Sequence, residues 1–173
     1  ISFSTTADFG AAMVSHEWDS TSGRGVMTFD GDVLQIPASS FRDDDLTEIH
    51  IPASITKIGK NAFDYCSDLT SVFIYDLVAW CNVEIEGSVS TSPLYYGDLY
   101  INGELVTDLV IPYGITELKD NVFTGCNLLQ SVHIPDSVTS IGRCAFHNCK
   151  NISSIDIPNS VTFIGEQAFS NMY

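Results

Sequence analysis

Cys144, His147 and Cys149 stand as Cys-x-x-His-x-Cys, and a thiolate–imidazole set of that kind is what zinc selects. Convergence on one ion requires all three side chains on the same side of the backbone. Cys149 shares its place in a recurring phrase with Cys66, Cys126 and Met172. A place that accepts methionine is apolar, which sends Cys149 inward as a small hydrophobe. Cys144 takes the place held elsewhere by Asn61, Asn121 and Gln167, so it is expected at the surface. The set therefore diverges, and no metal is expected. Stacked coils about 4.8 Å apart would bring Cys126 and Cys149 within disulfide range, although buried free thiols are the favoured state; Cys81 is expected to be buried too. Asp43-Asp-Asp45 lacks the alternating ligands and closing Glu of a calcium loop and reads as a solvated run. The sequence has no Gly-x-Ser-x-Gly elbow, phosphate loop or His-Glu-x-x-His. No catalytic residue or cofactor is assigned, and an enzyme is disfavoured.

Charge narrows the partners. A net charge of −15 over 173 residues argues against nucleic acid and against anionic membrane surfaces, which both reward Lys and Arg. No apolar run approaches the roughly 18 residues of a membrane span, and an apolar share of 45% suffices for a substantial core. The opening residues, Ile1-Ser-Phe-Ser-Thr-Thr-Ala, show no signal peptide.

The elements that position these residues follow from a phrase that recurs every 23 residues. Leu129-Gln-Ser-Val-His-Ile-Pro-Asp-Ser-Val-Thr-Ser-Ile-Gly-Arg-Cys-Ala-Phe returns from Ile152 as Ile-Ser-Ser-Ile-Asp-Ile-Pro-Asn-Ser-Val-Thr-Phe-Ile-Gly-Glu-Gln-Ala-Phe. Earlier copies start at Leu46 and Val106, and a degenerate one is legible from Met27 to Phe41. Leu-x-x-Ile-x-Ile alternates like a half-buried strand. Pro52, Pro112, Pro135 and Pro158 end each strand because proline cannot donate to a ladder. Gly59, Gly142 and Gly165 are expected to supply a turn of positive φ; Lys119 holds that place in the Val106 copy. Phe closes each coil as its bulky filler. One coil buries too little to offset the entropy of ordering it, so burial must come from stacking on neighbours. The fold class predicted is a β-rich solenoid. It is a right-handed coil of ~23-residue repeats whose strands form one continuous parallel sheet.

The phrase Leu-x-x-Ile-x-Ile-Pro-x-Ser-Val-Thr-x-Ile-Gly-x-x-Ala-Phe-x-x-Cys resembles the BspA-like (Treponema-type) leucine-rich repeat, over about residues 27–173. The resemblance implies a curved solenoid of the α/β leucine-rich-repeat type, with its sheet on the concave face, and a bacterial cell-surface or secreted setting. It also implies work by binding, either adhesion to host or matrix proteins or co-aggregation with other cells. No enzymatic activity comes with it.

Departures from the frame carry the remaining expectations. Residues 69–105 make an irregular coil of 37 residues. Within it Tyr75 replaces the proline, Asp76 can cap a short helix Leu77–Asn82, and Asn102-Gly103 signals a hairpin. The same stretch gathers Trp80, Tyr95, Tyr96 and Tyr100. These form either a platform for a glycan or the cover over the broken coil, and a lengthened coil that must fill itself favours the cover. Residues 1–26 lie outside the frame and read as a capping hairpin, with Trp18 over the first core layer; residues 27–173 are the solenoid, of about six coils. The C-terminal end shows no comparable polar cap, so the native chain is expected either to continue or to be covered by another molecule. One outward row of the sheet reads Thr28, His50, Phe73, Val110, His133, Asp156, flanked by Glu48, Ser71, Asp108, Ser131 and Ser154. As a concave ligand surface its centre would be Phe73 and Val110, binding a protein ligand; the alternative is a plain solvated face. Two further readings stay open: a structural spacer presenting other parts of a longer surface protein, and glycan binding by Trp80, Tyr95 and Tyr96.

Overall fold

The computed structural model describes residues 8–19 and 24–172. The Trp18 side chain, read above as the cover of the first core layer, lies outside the described residues. An antiparallel hairpin of β1 (Met13–Asp19) and β2 (Arg24–Phe29) comes first, with Thr28 facing Ser15 across it. The coils then supply β3 (Gln35–Ile36), β4 (Glu48–Ile51), β5 (Lys57–Ile58) and β6 (Ser71–Ile74). The irregular stretch holds α1 (Leu77–Cys81), β7 (Glu84–Ile85), two 3-10 turns at Val89–Thr91 and Pro93–Tyr95, β8 (Asp98–Ile101) and β9 (Glu104–Leu105). Regular coiling resumes with β10 (Asp108–Val110), β11 (Glu117–Leu118), β12 (Ser131–His133), β13 (Ser140–Ile141) and β14 (Phe163–Ile164). The result is a β-solenoid of about six turns with parallel sheets.

Three backbone columns hold successive coils together. The strand face contains the ladders β4-β6-β8-β9 and β10-β12, the latter extended by a bridge from His133 to Asp156. It is therefore two sheets, not the single continuous one expected. The break follows from the hairpin, which turns β9 antiparallel to β8 and ends that ladder. A second column pairs β3-β5-β7 and β11-β13-β14.

The third column runs through the closing turns. Amides of Asn121, Phe123 and Gly125 donate to the carbonyls of Arg143, Ala145 and His147 in the following coil. One coil later, Cys144, Phe146 and Asn148 donate to Glu166, Ala168 and Ser170. Ser39, Phe41 and Asp43 do the same to Lys60, Ala62 and Asp64. The flanking members of each triplet are left-handed, for example Asn121 at φ 62 and Cys144 at φ 55. That conformation turns their N–H groups along the solenoid axis. It is costly for residues other than Gly and Asn, yet Cys144 and Gln167 (φ 58) adopt it.

The positive φ thus sits two residues after the position expected. Gly59, Gly142 and Gly165 are not among the residues of positive φ. Glycine is needed there because a Cβ would enter the preceding coil. At Gly142 it would lie 2.7 Å from the Asp120 amide nitrogen, and at Gly165 2.5 Å from that of Arg143. Lys119 is tolerated because the second column is interrupted between β7 and β11.

The core shows that burial is borrowed. Ile58, Leu118 and Ile141 are fully buried, whereas Ile164, at the same place in the last coil, is 46% exposed. Phe rings stack along the axis, with centroids 5.5 Å apart for Phe123–Phe146 and 5.8 Å for Phe146–Phe169. The close approach at Gly142 gives a direct test. Gly142→Ala should destabilise the protein by about 1–3 kcal/mol through overpacking. Lys119→Gly should cost well under half as much, as read by chemical denaturation of both variants beside the parent.

Candidate functional site

Strands β4, β6 and β8 pair in register, so His50, Phe73 and Tyr100 lie side by side on the outward face. Alternation in the strands sends Ile49, Val72 and Leu99 inward and frees this row; Val72 and Leu99 are buried and Ile49 is part-buried. The rings form a ladder. His50 and Phe73 stack at 4.5 Å and 9°, and Phe73 meets Tyr100 at 4.8 Å and 30°. Tyr75, in the place where other coils carry proline, reaches back to share a hydrogen bond of 2.6 Å between its hydroxyl and His50 Nδ1. On its other side His50 Nε2 lies 3.7 Å from Glu48. Leu105 on β9 faces Tyr100 and continues the row.

The expected neighbour of Phe73 was Val110; the structure puts Tyr100 there instead. Only 27 residues separate Ser71 from Asp98, its ladder partner, so the irregular stretch contributes a face strand of its own before β10. Val110 belongs to the second sheet, paired with His133, which bridges Asp156. The sequence-derived row is thus brought together in two groups, His50–Phe73 and Val110–His133–Asp156, while Thr28 lies in the hairpin, outside both ladders. Tyr100 and Leu105 were the members missed, and the Asn102-Gly103 turn signal could have found them. Val110 is 62% exposed and Leu105 43%.

Carboxylates flank the row one strand step away. Asp98 follows Ser71 in the ladder, and burial pushes its carboxyl above the usual carboxylate range. Hydrogen bonds from the Ser131 and Thr107 hydroxyls, 2.5 and 2.9 Å, hold Asp108 below it.

The aromatic platform suggested for the irregular coil is not presented to solvent at its centre. Trp80 is 1% exposed, and its indole N–H donates to the Val122 carbonyl at 3.0 Å. Its coil lacks the Ala-Phe pair, and Trp80 and Leu94 fill that interior. Tyr96 is half-buried and edge-on to Tyr95 at 5.1 Å; its hydroxyl accepts the Tyr65 amide at 2.8 Å. Thr91 accepts the Asn61 amide at 3.1 Å. Asn61 and Tyr65 occupy the left-handed places whose amides elsewhere reach the next coil's backbone. The inserted hydroxyls replace those carbonyls. Asp76 caps α1 by accepting from Ala79, and Asn102 and Gly103 turn the hairpin at φ 51 and 87, both as the sequence indicated.

All five cysteines are free and buried. Cys144 was expected at the surface but is 1% exposed, held under the following coil by its left-handed backbone. The Cys149 thiol donates to the Phe123 carbonyl at 3.2 Å, and Cys66 donates to Phe41 at 2.9 Å. Burial pushes Cys66 up to about 11 and Cys81 and Cys149 up to about 12. Among the described residues no three His, Cys, Asp or Glu side chains gather to hold a metal ion. No described helix is long and apolar enough to cross a membrane.

Stacked 23-residue coils with a ladder on one face define the leucine-rich-repeat class. The family model described as the BspA type leucine rich repeat region matches residues 27–83 and 98–173 in six copies, and the chain belongs to that family. No curated protein matches it. Among solved structures, a leucine rich cell surface protein of Faecalibacterium prausnitzii is 27% identical with a TM-score of 0.53, aligned over 90% of this chain and 50% of its own. A leucine-rich repeat protein of Bacteroides ovatus is 18% identical with a TM-score of 0.48, over 94% and 50%. The pneumococcal vaccine antigen PcpA is 18% identical with a TM-score of 0.46, over 81% and 52%. The chain spans about half the length of each of these proteins.

Thiolate is scarce at neutral pH when a thiol is raised this far. Iodoacetamide should therefore leave Cys66, Cys81, Cys126 and Cys149 unmodified in the folded protein and label all of them in guanidinium. Mass spectrometry of the peptides reads both states.

Proposed function

We propose that the chain is a non-enzymatic binding module of a bacterial cell-surface or secreted protein. It takes a protein ligand, from a host, its matrix or another cell, on the strand face. The observation that carries this reading is the row of outward, part-exposed apolar side chains fixed on a ladder, with Phe73 and Tyr100 in one sheet and Val110 in the other. Soluble faces seldom keep such residues in line without a partner, and rigid solenoid faces present them at little entropic cost. His133 and Asp156 add polar contacts beside Val110. The surface setting is supported by family membership and by the Faecalibacterium protein. In this reading the hairpin of β1 and β2 closes the N-terminal end, consistent with Phe9 buried 5.1 Å from the Phe29 ring.

Immobilised matrix proteins and mucins provide the test. The parent chain should bind at least one saturably, and Phe73→Asp with His133→Asp should abolish that binding while leaving the melting temperature within a few degrees. Undiminished binding by the folded variant removes the face from the mechanism. No binding across the whole panel favours a spacer role.

A further inference from the structure

We infer that the strand face accepts a cationic, extended polypeptide segment. Its Lys or Arg stems would lie across Phe73, Tyr100 and Leu105, and its charged heads would reach the carboxylates of Asp98 and Asp108. This deepens the strand-face reading above and rests on it.

The ring geometry selects the class of occupant. Sugars and flat ligands bind aromatic faces, but here those faces are taken by one another, at 4.5 Å and 9° for His50–Phe73 and 4.8 Å for Phe73–Tyr100. Ring edges and the Leu105 side chain remain, a ridge that suits aliphatic stems. Asp98 stands two residues before Tyr100 on β8, and Asp108 two before Val110 on β10. Two residues along a strand cover roughly 6.6 Å, close to the length of a lysine or arginine stem. A chain crossing the strands on the ridge would thus place a cationic head over Asp98 and, continuing across Val110 in the second sheet, another over Asp108.

Charge points the same way. Of the seven Lys and Arg residues none lies on a face strand: β4, β6, β8, β9, β10 and β12 contain none. Asp98 and Asp108 therefore stand on a face whose strands supply no Lys or Arg. Asp98 is partly desolvated, and Asp108 is oriented and kept ionised by Ser131 and Thr107. A cation brought to Asp98 offsets the cost of its desolvation, and one brought to Asp108 meets a fixed acceptor.

Fluorescence anisotropy with labelled peptides of alternating Arg-Ser, Gln-Ser and Glu-Ser tests this, with a chitin oligosaccharide as competitor. The Arg-Ser peptide should bind the parent, and Asp98→Asn with Asp108→Asn should weaken it about tenfold, as loss of interfacial charge pairs does. Phe73→Ser with Tyr100→Ser should weaken it about as much at unchanged net charge. Asp43→Asn with Asp45→Asn removes the same charge off the face and should change affinity less than about twofold. Thermal melts confirm that each variant folds; the Asn pair is isosteric and keeps the test intact if the Ser pair does not. Equal loss in the Asp43/Asp45 control, or none in the Asp98/Asp108 pair, overturns the proposal by reducing the effect to diffuse attraction. Preference for Gln-Ser or Glu-Ser that depends on Phe73, or displacement by the oligosaccharide, overturns the cationic class while leaving the strand face as a binding surface. If no peptide binds, the cationic class fails, and the matrix-protein panel separately decides the fate of the face.

Discussion

Backbone amides in each closing turn point at the next coil, and this one requirement organises the molecule. Three N–H groups per regular turn, at Asn121, Phe123 and Gly125 for example, find carbonyls in the following coil. Each buried amide left without an acceptor would cost about 1–3 kcal/mol. The left-handed residues, the glycine beside the preceding coil and the stacked Phe rings all serve that approach. A Cβ at Gly165 would lie 2.5 Å from the Arg143 nitrogen, so the coils are as close as backbones permit.

The irregular stretch shows the same requirement met by other means. Where a regular coil is missing, Thr91 and Tyr96 offer hydroxyl oxygens to Asn61 and Tyr65. Trp80 fills the interior that a Phe fills elsewhere and donates to Val122. Arg143 ties the stretch down by donating to the Gly87 carbonyl at 2.7 Å. An insertion into a stacked array is therefore accommodated by bringing acceptors and bulk with it. Its hairpin adds β8 and β9 to the strand face, so the extra residues that break the ladder also supply Tyr100 and Leu105.

Much of this was legible in the sequence because the repeat writes the same chemistry several times. The strand alternation, the proline stops, the Asp76 cap and the Asn102-Gly103 turn all carry local signals that context does not override. What was not legible depends on contact between coils. Nothing in Gly142 itself distinguishes a positive φ from a lack of room, and only the neighbouring backbone decides. Cys144 looked exposed because its place holds polar residues elsewhere, but those residues are chosen for the left-handed backbone and not for solvent. The repeat frame aligns Val110 with Phe73 only if the irregular stretch is a single coil, and it holds an extra face strand, β8. Trp80 was ambiguous since a lone tryptophan reads alike as platform or filler until its N–H finds the Val122 carbonyl.

The uniform direction of the turn amides has a consequence for how such a chain can vary over evolutionary time. A cut or duplication that stops partway through a coil strands donors on one side and acceptors on the other. Among the regular coils, whole turns can be gained or lost without altering the remaining junctions, because those junctions repeat one another. The reach of the face is then quantised, each added turn extending it by one strand width, about 4.8 Å. A lineage can tune the span of the strand face in those steps while leaving the chemistry of the existing regular coils untouched.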